Sequence, residues 1–272
     1  MISSLNAFRI FATLIILICH MDWIFPIKWH LAPIGVCLFF VLSGFCVELG
    51  YGTKEVKVSY FIRKRIIKLY PIYAFTMLIG LGLAIVGHKE FCSIAIDLLL
   101  NSVLLQTLIP SFQSLNGIAW YVATICWLYL IYALVLRKLN SPTLITAMLI
   151  YMVLLDLLRP HVDAYGQTLW FYTFSPYSRV VEFCMGVLGA RIFHNTKNTK
   201  LSQKQIAMLE GGILSAIVVY VLIDNDIRAH IWILSILYTM AFYVFSFQEG
   251  AISKFFSGKI LVVFPHIPMR FI

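Results

Sequence analysis

Charge is what this chain has least of. Of its 272 residues only 12% are Asp, Glu, Lys or Arg, while 61% are hydrophobic, and the mean hydropathy is +0.90. Soluble domains carry about a quarter charged residues and about half apolar ones. No water-soluble fold of this length hides so much apolar surface. A long polar stretch is also missing: the longest, 191–205, is too short to fold alone. There is no CxxC pair and no Cys/His cluster. Cys19, Cys37, Cys46, Cys92, Cys126 and Cys184 stand singly in apolar runs, which points away from a disulfide framework and from any metal site. No GxSxG elbow and no paired-carboxylate motif occurs. The alternating ten-residue pattern of a transmembrane barrel is absent. The first apolar run lacks a small-residue cleavage site, so it reads as a retained anchor.

What is present is a series of apolar runs of spanning length, at 5–24, 32–50, 69–87, 118–136, 143–158, 177–193, 206–223 and 231–247. In lipid, helices satisfy their own backbone groups. The fold class expected is therefore all-α: a polytopic transmembrane bundle of about eight complete spans, forming a single membrane domain over 1–272. The formal net charge of +9 sits mostly in short loops between spans, as membrane orientation requires, and nucleic acid is not an expected partner. Six cations, Lys54, Lys57, Arg63, Lys64, Arg65 and Lys68, mark 51–68 as cytoplasmic, and the N-terminus with it.

One run, 91–109, is ambiguous. It carries Asp97 and Asn101 on one helical face. If it spans, the basic stretches 137–142, 191–205 and 248–259 fall outside. If it enters and returns, or lies along the outer interface, only Lys28, Lys89, Arg159 and Arg228 of the loop cations fall outside. The second arrangement obeys the positive-inside rule. A re-entrant or interfacial helix on the outer side is expected, with its polar face covered by protein.

Three stretches carry the chemistry. FRIFATLIILICHMDW, 8–23, places Arg9 and His20 eleven residues apart, about three turns plus 20°, so they share a face about 16 Å apart along the axis. Singly, Arg9 reads as a snorkelling anchor and His20 as an interfacial histidine; together they mark a wall facing the protein interior or a wet cavity. Histidine is also the side chain best suited to act as general base near neutral pH. GVCLFFVLSGFCVELG, 35–50, offers Gly35, Ser43 and Gly44 for close helix packing. In FIRKRIIKLYPIY, 61–73, basic residues precede a proline placed to open the next span. That basic run either binds anionic lipid heads or, through Arg65 and Lys68 at i, i+3, clamps a phosphate.

In this order these stretches resemble the acyltransferase 3 family of integral membrane O-acyltransferases. LNAFRIFATLIILICH at 5–20 is similar to its first helix, GVCLFFVLSGF at 35–45 to its second-helix signature, and RKRIIKLYPIY at 63–73 to its basic motif, with Lys68 where Arg is commoner. NGIAWYVATICWLYLIYAL at 116–134, led by Trp120, and SRVVEFCMGVLGARI at 178–192, with Arg179 and Glu182, resemble later helices.

The resemblance implies a ten-span bundle in the inner, cytoplasmic membrane. It would move an acyl group, usually acetyl, from cytoplasmic acyl-CoA (acetyl-CoA) as co-substrate to a hydroxyl of a glycan outside. Partners are then the lipid bilayer, acyl-CoA and the glycan acceptor; no permanently bound cofactor is implied. His20 and Arg9 would be catalytic, Arg63, Arg65 and Lys68 would bind acyl-CoA, and Ser43, Trp120, Arg179 and Glu182 would support them. The sequence departs from the family pattern twice. Where many members carry Glu about five residues after the Trp, this chain has Ile125 and Cys126, with Glu48, Asp22 or Glu182 as substitutes on offer. Its last apolar run, 259–272, holds Pro265 and Pro268 and stops where a further span is expected, so an incomplete last span and a truncated C-terminus are expected. Two rival readings follow: an inactive or impaired relative, or a polytopic transporter whose polar pathway is lined by Arg9, His20 and Asp97.

Overall fold

The computed structural model describes residues 2–21, 31–109, 115, 117, 119–199, 201–224, 226–227 and 230–257. Among these no strand occurs. Ten α-helices follow one another: α1 (Ser4–Cys19), α2 (Ala32–Tyr51), α3 (Val58–Val86), α4 (Phe91–Ser102), α5 (Trp120–Leu134), α6 (Ser141–Ala164), α7 (Pro176–Thr196), α8 (Gln203–Ile223), α9 (Ile231–Phe245) and α10 (Ala251–Ser257). Their starts follow local chemistry. Proline sits in the first turn of α2 and α6, and the Asn140 side chain accepts the Thr143 N–H to cap α6. Ser202 and Gln205 form a reciprocal capping box on α8.

Among the described residues five helices are long and apolar enough to cross a membrane: Ala32–Tyr51, Val58–Val86, the Trp120–Lys138 stretch, Ser141–Ala164 and Gln203–Ile223. Apolar side chains point outward from them, including Leu83, Leu157 and Leu222. A helix apolar all round belongs in lipid. The protein is thus a multi-pass helical membrane protein. The expected last run, 259–272, lies outside the described residues.

The helices form two compact units. The first holds the described residues up to Lys54 and from Glu182 onward. Its core is aromatic: Phe8 meets Phe242 and Phe245 edge-on with centroids 5.2 and 5.0 Å apart. Helix α1 runs antiparallel to α9, for the Ser4 hydroxyl at the start of α1 donates to the Phe245 carbonyl at the end of α9 at 2.7 Å. Helices α2 and α7 approach each other closely through their backbones. A Cβ added to Gly44 would lie 2.0 Å from the Phe183 carbonyl oxygen, and one added to Gly186 would lie 1.9 Å from the Val41 oxygen. The small residues of 35–50 therefore do allow close packing.

The second unit spans Glu55–Val181. Helix α3 begins at Val58, well before the expected 69, because the basic run 63–68 is itself helical. Pro71 consequently lies inside the helix and not in its first turn; it removes one N–H, which a membrane helix tolerates. Helix α4 covers only 12 residues of 91–109, about 18 Å, short of the roughly 30 Å hydrocarbon core. Its buried residues are Asp97 and Asn101, the polar pair expected to be covered.

Candidate functional site

Helix α1 stays helical through Cys19, so Arg9 and His20 keep their eleven-residue spacing and sit toward opposite ends. Arg9 is half-buried. Its Nη1 donates to Asn6 Oδ1 at 2.8 Å and its Nη2 to Cys46 Sγ of α2 at 3.0 Å. His20 is the residue that ends α1; its backbone N–H closes the last turn on Ile16 and Leu17, and the residue is exposed. Ser43 is half-buried on α2, beside Gly44. One turn before Gly186 on α7, Glu182 is 2% exposed. Of the carboxylates that could replace the missing glutamate, Glu48 is engaged by Arg191 Nε at 2.8 Å, and Asp22 lies outside the described residues.

In the second unit the basic motif splits by helical phase. Arg63 is exposed, Lys68 half-buried, and Arg65 is 6% exposed. Residues two apart on a helix differ by about 200°, so Arg63 and Arg65 face opposite ways and do not form one clamp. The Arg65 guanidinium lies over the rings of Phe61 and Tyr129, 5.3 and 5.1 Å from their centroids. It borders a largely apolar cavity of about 170 Å³, with Cys126 and Trp127 of α5 and Leu104 on the other walls. Cys126, one of the two residues in the region where a glutamate was expected, thus lines the same cavity as Arg65, while Ile125 does not. Trp120, at the start of α5, packs on Phe174 with centroids 5.1 Å apart. Arg179 is buried and donates from Nε to the Thr173 carbonyl at 2.9 Å.

Three polar groupings escape the sequence motifs. Gln106 donates to the Tyr73 hydroxyl at 2.9 Å, which donates to the Asn101 carbonyl at 2.7 Å; this network fixes the turn after α4. Glu210 of α8 is fully buried, and its carboxylate accepts the N–H groups of Ile252 and Ser253 at the start of α10, at 2.9 and 3.2 Å. At the other end of α8, Asp224 meets His230. The polar stretch DNDIRAH at 224–230 was the available signal for that pair; no periodicity marks the other two. Among the described residues no cluster of His, Cys, Asp or Glu is set to hold a metal ion.

The class defined so far is a multi-pass helical membrane protein with ionisable groups at both ends of its first helix. Residues 2–266 match the family model described as an acyltransferase domain, Acyl_transf_3. The chain belongs to the acyltransferase 3 family, and acyl transfer is its general chemistry. No curated protein and no solved structure matches it.

Proposed function

We propose that this acyltransferase takes an acetyl group from acetyl-CoA at the cytoplasmic face of the inner membrane and delivers it to a hydroxyl of a cell-surface or exported glycan. The N-terminus is cytoplasmic in this reading. Arg65 and Lys68, one turn apart on α3, hold the CoA phosphates, and Arg63 adds positive charge on the exposed side. The acyl-pantetheine arm follows α1 outward. Arg9 positions CoA, and His20 acts on the acyl group or on the acceptor hydroxyl. Ser43, Trp120, Arg179 and Glu182 support the helices that carry these groups.

The observation that carries the reading is the disposition of α1. A cation is held half-buried against α2 toward one end, and an imidazole is exposed at the other. Transfer from one membrane face to the other needs groups at two depths on one element. Replacing His20 by Ala should abolish acylation of the acceptor while membrane insertion is kept. Full activity in that variant refutes the assignment. One specific observation favours a second reading, an impaired relative: α5 presents Ile125 and Cys126 where a carboxylate is common in the family. Acetyl transfer by the wild-type chain in membranes eliminates it.

A further inference from the structure

An aspartate and a histidine meet at one end of the first unit, outside every motif used above. Asp224 ends α8, and His230 precedes α9. His230 Nδ1 lies 3.2 Å from each Asp224 carboxylate oxygen. The carboxylate is fixed in turn: it accepts from the Tyr220 hydroxyl and from the backbone N–H of Asp226 at 2.9 Å. The side chain of Asp224 is 10% exposed and that of His230 is 52% exposed, so the carboxylate is covered while the imidazole is open. A carboxylate on Nδ1 fixes the tautomer and turns a free Nε2 lone pair outward, which is how an imidazole is prepared as a base.

This pair shares an end of the unit with His20. Helices α1 and α9 are antiparallel, with Ser4 beside Phe245; the last residues of α1 therefore lie toward the first of α9. Ile15 of α1 and Leu222 of α8 line one apolar cavity of about 400 Å³. His20 follows the first by a little over one turn, and Asp224 follows the second by two residues.

We propose that His230, oriented by Asp224, is a second catalytic imidazole, which takes the proton of the acceptor hydroxyl while His20 carries the acyl group. The proposal rests on the acetyl-transfer reading above. An acylated imidazole has its reactive nitrogen occupied, and its other nitrogen is a weakened base on the far side of the ring, so a second group is better placed to serve as base for release. In the first step a His20 nitrogen attacks the thioester carbonyl. The C–N bond forms, the C–S bond breaks, and the CoA thiolate takes the proton that the imidazole sheds. In the second step the acceptor oxygen attacks the acyl-imidazole carbonyl and its proton passes to His230 Nε2. The C–O bond forms, the C–N bond breaks, and His230 returns that proton to His20. Among the described residues, the titratable groups around His230 are Asp224 and Tyr220 from α8 and Asp226 from the connecting loop; Cys37 of α2 follows, its Sγ 4.0 Å from the Ile231 carbonyl, and His20 belongs to the same end of the unit through the antiparallel run of α1 and α9.

The test uses native membrane vesicles carrying the full chain, supplied with radiolabelled acetyl-CoA, with the host's own glycans as acceptor. His230→Gln keeps an amide donor toward Asp224 and removes the base. Label reaching the glycan fraction should fall about 10²- to 10⁴-fold, while label held on the protein should exceed the wild-type level. The acid limb of the pH–rate profile should disappear, and added imidazole should restore part of the rate to His230→Ala. His20→Ala should hold no label on the protein. Wild-type transfer and pH profile in His230→Gln overturn the proposal. So does loss of protein-held label together with transfer, without imidazole rescue, since that marks a structural role only. If the wild-type chain labels neither protein nor glycan, the acetyl-transfer reading itself fails, and the proposal falls with it.

Discussion

Arg65 and Arg63 stand two residues apart and live in different surroundings. Arg65 is buried against two aromatic rings beside a cavity, and Arg63 is exposed. If CoA phosphate is held here, Arg65→Ala should raise KM for acetyl-CoA about tenfold or more, the loss of one charge-assisted hydrogen bond, and Arg63→Ala should raise it less. Initial rates in membrane vesicles check both. Asp224 supplies a second prediction. The Tyr220 hydroxyl above all, then the Asp226 amide and His230, holds its carboxyl below the usual aspartate range. A lowered value adds stability above the unfolded pKa and loses it as pH falls through the folded one. The Asp224–His230 contact should therefore hold at neutral pH and weaken as pH falls through the lowered carboxyl value, and Asp224→Asn should abolish that step. Hydrogen exchange at the Asp226 amide reads it. The spacing of Arg9 and His20 was legible in the sequence because helical geometry fixes it. The inward turn of Arg65 was not: every cation in a basic run looks solvated until the helix is known to begin at Val58.

At the scale of elements, the α2–α7 crossing makes the sharpest stability claim. Gly186 and Gly44 each sit against backbone of the opposite helix. Gly186→Ala should lower stability by about 1–3 kcal/mol, as overpacking does. Gly212 on α8 has nothing within 4 Å of an added Cβ, so Gly212→Ala should be neutral or stabilising by up to about 1 kcal/mol. Thermal unfolding of the two variants in detergent separates them. Small residues in 35–50 announced a close crossing, yet nothing in that stretch names α7 as the partner, since contacts between distant elements leave no local pattern. Composition also located α4 and its covered polar face. Glu210 was hidden for the opposite reason: one carboxylate in an apolar run shows its purpose only where α10 starts against it.

At the scale of the whole molecule, composition pointed to a membrane protein, because 61% hydrophobic residues leave a soluble fold no way to bury them, and the long apolar runs without barrel-type alternation made it helical. Helix ends were less legible; α1 stops at Cys19 and α9 at Phe245, where polarity and turn chemistry override hydropathy. The arrangement of loop cations predicts that single cysteines placed at Arg137 and Lys197, in a background lacking the native six, react with impermeant reagent only from the cytoplasmic side. Labelling from outside at Arg137 refutes that orientation. If α1 passes an acetyl group to a surface glycan through His20, mass spectra of that glycan will differ between cells carrying the wild-type chain, the His20→Ala chain or neither. Species heavier by one acetyl group are expected with the wild-type chain alone. Identical spectra from all three would contradict that transfer.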